Sequence, residues 1–231
     1  MRVFALAGFL FAAALPATTA FADNVVAVSN EPSIRVEDLK RLAAQGHGEY
    51  QRIARLLGLP GNKRAWISVE DVDVSYARHH RPVLVTGVDH VRNGQVPLAH
   101  ELTHILAGRA ASHVLAEGFA VYMQDRIGTG RVFPNYGREI NAGLRENVQR
   151  WNIPVPKNAY GFAAQYIGEM DQMRKRIVAY HIAGSFCRYL IEVVLGGDVS
   201  TFMNMYRSGD FQAATGKSRD DLIADWRKAT L

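Results

Sequence analysis

The chain has 231 residues, 48% of them hydrophobic, which is enough for one domain with a full core. Its single cysteine, Cys187, excludes an intrachain disulfide, so packing, with or without a metal, must hold the fold. The formal charge of +5 comes from basic residues scattered among acids, with no aromatic-interleaved basic stripe, which argues against a nucleic-acid partner.

The N-terminus has the pattern of an export signal. Arg2 supplies a positive start, Val3 to Leu15 an apolar run, and Ala20-Phe21-Ala22 a small-x-small cleavage site. A cut after Ala22 leaves residues 23–231 as the mature chain, in the periplasm or the medium. The apolar run is too short for a stable membrane span. No second stretch of spanning length is expected downstream, so stable membrane insertion is not expected.

Residues 23–34 read as an extended leader. Between residues 36 and 57, Leu39, Leu42, Ala43, Ile53, Leu56 and Leu57 fall mostly at helical spacing, with an expected break at Gly46-His47-Gly48. After the turn Leu59-Pro60-Gly61-Asn62, residues 64–69, 72–77 and 82–88 are rich in strand formers such as Trp66, Ile67, Val74 and Tyr76. Arg78-His79-His80-Arg81 reads as a solvated hairpin turn.

Next comes His100-Glu101-Leu102-Thr103-His104. Two histidines four residues apart on a helix project from one face and can grip one metal ion. Glu101 sits at the edge of that face, within reach of a metal-activated water as general base. Pro97 suits the helix start, Gly108 its end, and Ser112 the cap of a second helix running from His113 to Met123. Glu117 is a lone carboxylate in that apolar run and needs a cation or a proton. Folding the second helix back on the first brings Glu117 toward His100 and His104, a three-ligand set suited to Zn2+. Glu117 pairing with Arg109 or Arg126 is the competing reading. His113 is an alternative ligand, and Asp125 a candidate to orient a ligand histidine.

Further on, Gly128 to Tyr136 is a loop, residues 137–151 a helix, and Ile153-Pro154-Val155-Pro156 a rigid connector. Residues 170–195 form a long helical pattern with an expected interruption near Gly184. Within it, Cys187 falls among Phe186, Leu190 and Ile191 and reads as a buried structural thiol. Residues 199–207 and 218–228 are closing helices. The fold expected is one α+β domain, with a small sheet ahead of the histidine helix and a mainly helical C-terminal part.

The His-Glu-Leu-Thr-His segment followed by Glu117-Gly118-Phe119-Ala120 resembles the gluzincin metallopeptidases, most of all the aminopeptidase-N-like branch. The likeness covers roughly residues 83–228. It implies that His100, His104 and Glu117 bind zinc and that Glu101 is the catalytic base. Tyr180, opening Tyr180-His181-Ile182-Ala183-Gly184-Ser185-Phe186, matches the tyrosine that stabilises the oxyanion in that group, with His181 a rival for the role. The resemblance also implies that the segment Val83–Val88 lines or neighbours the cleft. Ala116 stands where the aminopeptidases have asparagine, and their amine-recognising Gly-x-Met-Glu-Asn segment is absent, so aminopeptidase specificity does not carry over. The function expected is an exported zinc metallopeptidase acting on peptides or proteins. The alternative is a zinc-stabilised, non-catalytic envelope binding or chaperone-like module.

Overall fold

The computed structural model describes residues 18–78 and 81–231. The positive start and apolar run of the expected export signal lie outside the described residues, as do His79 and His80 of the expected hairpin turn. Five strands form a mixed sheet: β1 (Thr18–Ala22), β2 (Val25–Ser29), β3 (Ala65–Glu70), β4 (Tyr76–Arg78) and β5 (Val83–Gly87), in the order β1-β2-β3-β5-β4. The two outer pairs are antiparallel and the two inner ones parallel.

The supposed leader is therefore part of the sheet. Val25, Val26 and Ala27 are fully buried in β2, which pairs with β3 along its whole length. The expected cleavage site, Ala20-Phe21-Ala22, lies in β1, which pairs antiparallel with β2. Of the expected strand 72–77, only its end survives in β4, because residues 71–75 form bends and a hydrogen-bonded return from Val72 N–H to Glu70 O.

A parallel β2–β3 connection needs a crossover, and α1 (Val36–Leu56) supplies it. The expected break at Gly46-His47-Gly48 does not occur. Gly46 faces the sheet, where an added Cβ would lie 3.0 Å from Ile67 Cδ1 and 3.3 Å from Val25 Cγ1. The glycine permits close helix–sheet packing there, a local helix-propensity cost that the burial of Leu39, Leu42, Ala43 and Ile53 outweighs.

The rest is helical: α2 (Val88–Arg92), α3 (Leu98–Ala107), α4 (His113–Ile127), α5 (Ile140–Trp151), α6 (Ala159–Tyr166), α7 (Met173–Tyr189), α8 (Val199–Ser208), α9 (Phe211–Thr215) and α10 (Arg219–Thr230). The coarse α+β class and the sheet-then-helices order hold. Helix α7 runs unbroken through Gly184, because that glycine too is a contact point. Its missing Cβ would meet Val121 Cγ1 of α4 at 2.5 Å. From the other side, a Cβ on Gly118 of α4 would come within 2.5 Å of Ala183 O. Gly118 and Gly184 thus let α4 and α7 approach closely, and Cys187 is fully buried in the same seam.

Contrary to the sequence expectation, Met170–Val194 is long and apolar enough, at 25 residues, to meet a bilayer-spanning criterion by length and composition. In the fold most of its apolar residues are spent on core contacts, Met170, Met173 and Val193 staying exposed. Val178, Ala179, Ile182, Ala183 and Phe186 are buried, in a helix packed by α4, α5 and α6.

Candidate metal centre

Helix α3 carries His100, Glu101 and His104, and all three are nearly covered. Pro97 sits just ahead of its first residue and Gly108, at φ 72°, ends it. The chain turns back at once. Ser112 caps α4 by accepting the Leu115 N–H at 3.2 Å, while Tyr160 shares the same hydroxyl at 2.5 Å. Tyr206 of α8 braces this turn from both ends: its hydroxyl donates to Gly108 O at 3.0 Å, and its carbonyl accepts from Ala111 N–H at 2.7 Å. The twelve residues between His104 and Glu117 therefore make a tight, pinned helical hairpin.

The hairpin brings the three expected ligands together. His100 Nε2 lies 3.1 Å from Glu117 Oε2, His104 Nε2 lies 3.5 Å from the same oxygen, and the two Nε2 atoms are 3.3 Å apart. Four-coordinate zinc with bonds of ~2.0–2.1 Å spaces its ligands about 3.3 Å apart at tetrahedral angles. The observed triangle matches that spacing without movement of any element. This His100–His104–Glu117 cluster could hold a metal ion. The alternative partners for Glu117 are not used: Arg126 pairs with Glu192, and Arg109 makes no ion pair with Glu117.

The electrostatics follow from the packing. Burial alone would raise the Glu117 carboxyl, but hydrogen bonds with His100 and His104, and the charge of His104, hold it well below the ordinary range. Burial works against a charged His104, yet Glu117 and Glu101 together lift it above the usual histidine value. Glu101 shifts the other way. Burial dominates and raises its carboxyl, with His100 and His104 offsetting only part. One buried carboxyl is thus held anionic by the histidines while its neighbour is raised by burial.

Edge strand β4, which carries Ala77, packs against α3. Beside it, β5 (Val83–Gly87), an inner strand between β3 and β4, also neighbours α3. A free strand edge beside a candidate base is a place where an extended peptide can add by backbone hydrogen bonds.

Tyr180 and His181 part company. The Tyr180 ring lies 6.2 Å from that of His100, and Phe133 packs on it edge-on at 5.1 Å. Burial pushes its phenol well up, with Glu117 adding to the rise, so the hydroxyl keeps its proton. His181 turns away. Its Nδ1 bonds Ile177 O at 2.8 Å and its Nε2 is buried without a partner against Gly143, where a Cβ would come within 2.6 Å. Burial lowers its affinity for a proton, so it is a neutral core imidazole facing α5.

His113 and Asp125 also have definite places. His113 Nε2 stands 3.2 Å from Glu117 Oε1, the oxygen not shared with the other two histidines, and its own side chain is 57% exposed. It contacts the outer oxygen of the carboxylate and stands outside the His100–His104–Glu117 cluster, where the sequence had offered it as an alternative ligand. Asp125 accepts from Asn135 at 3.4 Å and shows no contact with either ligand histidine. A cavity of about 690 Å³ opens elsewhere, among Arg55, Tyr122, Arg126 and Met203, and none of the five expected site residues lines it.

Compared with protein-family models and with curated proteins, the chain matches none.

Proposed function

We propose that this chain is an exported, zinc-dependent metallopeptidase of gluzincin type. One observation carries the reading: two Nε2 atoms and one carboxylate oxygen meet at tetrahedral spacing, with the buried Glu101 carboxyl beside them and a free strand edge bordering it. His100, His104 and Glu117 are the residues that would hold zinc. Bound there, zinc supplies a Lewis acid that acidifies water and polarises a carbonyl.

The chain's own residues do the rest. Glu101, raised by burial, takes a proton from the attacking water and hands it to the departing amine. Tyr180, protonated, donates a hydrogen bond to the oxygen that gains charge as the carbonyl is attacked. Edge strand β4 aligns the peptide, and His113 steadies Glu117. The pattern of Arg2, the apolar run and Ala20-Phe21-Ala22 supports export, to the periplasm or the medium.

The test combines metal analysis of the purified protein with a peptide-library digest, with and without a chelator. About one zinc per chain and chelator-sensitive cleavage are expected. Glu101→Gln should retain the metal and lose turnover by at least ~10²-fold. Bound zinc with no cleavage of any peptide would overturn the peptidase reading in favour of a zinc-stabilised binding module. Wild-type turnover by Glu101→Gln would remove the assigned base.

A further inference from the structure

Arg176 lies one helical turn before Tyr180, on the same face of α7. Its Cζ stands 5.5 Å from the centre of the Tyr180 ring and 5.2 Å from that of Phe133, so the guanidinium is stacked against two aromatic walls. Its Nε donates to Ile167 O at 3.0 Å, which fixes the fork at the base. Half-buried, it has no carboxylate within ion-pair distance among the described residues. Other arginines of this region do. Arg138 pairs with Glu146, and Arg188 with Glu192.

A partly desolvated guanidinium without an anion is costly, and its planar fork suits two-point recognition of a carboxylate. The acids of the histidine site are already committed, Glu117 to the histidine cluster and Glu101 to its place beside β4. With a divalent ion balanced by those two carboxylates, Arg176 leaves the cleft with one unmatched positive charge. Tyr180 links the two sites: its ring centre lies 6.2 Å from that of His100 and 5.5 Å from Arg176 Cζ, so they are at most about three residues of extended peptide apart at ~3.3–3.6 Å each.

We propose that Arg176 is a substrate-specificity residue, binding a carboxylate of the peptide within about three residues of the scissile bond. This rests on the metallopeptidase reading and narrows its substrate class to peptides with an anion at that position. The carboxylate is either a free C-terminus or an acidic side chain.

The experiment uses the zinc-loaded protein and three matched peptides of one sequence. One has a free C-terminus close to the cleaved bond, one has that terminus amidated, and one is amidated with a glutamate replacing glutamine beside the bond. Wild-type protein should prefer one anionic peptide over the neutral one by at least tenfold in kcat/KM, mostly through KM. Arg176→Met should bring that ratio close to one, and Arg176→Lys should restore part of it. Preference for the free terminus identifies a carboxypeptidase-like subsite, and preference for the internal glutamate an acidic side-chain pocket. A wild-type ratio near one, or a ratio unchanged in Arg176→Met, overturns the proposal and leaves Arg176 as a bracket between α7 and the loop holding Phe133.

Affinities of the same peptides for zinc-loaded Glu101→Gln protein, and for that protein also carrying Arg176→Met, give a readout independent of turnover. If no peptide is cleaved, the peptidase reading fails. A tenfold tighter, Arg176-dependent affinity for the anionic peptides would still support the carboxylate site, and equal affinities would sink it.

Discussion

Tyr180 and His181 are adjacent, yet ~100° of helical rotation sends one ring to the histidine cluster and the other to α5. The sequence left both open for the same chemical role, because a phenol and an imidazole can each donate to an oxyanion. Packing separates them. His181 already uses Nδ1 on a backbone carbonyl, and its Nε2 faces Gly143. Tyr180→Phe should therefore lower kcat by about 10²–10³-fold while metal content stays at the wild-type level. Steady-state kinetics with parallel metal analysis check this, and full activity would remove Tyr180 from the mechanism. The triad His100, His104 and Glu117 was legible because i,i+4 spacing and a short capped hairpin determine where three side chains can go. The packing of β4 on α3 was not, since a three-residue edge strand leaves little mark in a side-chain pattern. Nor was the carboxylate-free setting of Arg176, which depends on Phe133 and Ile167 arriving from other segments.

Among the elements, glycine is where sequence and structure diverge most usefully. Gly46, Gly48 and Gly184 all read as breaks, yet all three lie inside continuous helices. Local propensity penalises glycine in a helix by about 1 kcal/mol, which says nothing of a neighbour that needs the missing Cβ. Gly118 is the sharpest such case: it follows Glu117, and an added Cβ would lie 2.5 Å from Ala183 O and 2.8 Å from Cys187 Sγ. Neither α4 nor α7 can yield cheaply there, because the contacts are a backbone carbonyl and a fully buried thiol. Gly118→Ala should destabilise the fold by about 1–3 kcal/mol through overpacking and weaken metal binding by displacing Glu117. Gly48→Ala is the control. No atom lies within 4 Å of its added Cβ, so improved helix propensity should stabilise by up to ~1 kcal/mol. Urea unfolding of both variants decides it; equal midpoints would refute the tight seam between α4 and α7.

For the whole molecule, the open question is what β1 does. It pairs with all five residues of β2, buries Ala20 and packs under α1, while Phe21 remains 66% exposed. The motif that reads as the end of an export signal thus also reads as an edge strand, and a cut after Ala22 removes that strand. Alternation of small and β-forming residues serves both purposes, so the sequence alone could not separate them. Physically the two outcomes differ. Without β1, the backbone groups of β2 along one side lose their partners, and an apolar strand becomes a sheet edge, which favours self-association. Two chains, one beginning at Thr18 and one at Asp23, test this directly. The longer should unfold at higher urea, each lost backbone hydrogen bond counting for ~0.5–1.5 kcal/mol net. The shorter should sediment partly as dimers or larger species at concentrations where the longer is monomeric. Identical midpoints and identical sedimentation would show that β2 needs no cover on that side. The sheet proper would then begin at Val25, with the α3–α4 hairpin standing on four strands instead of five.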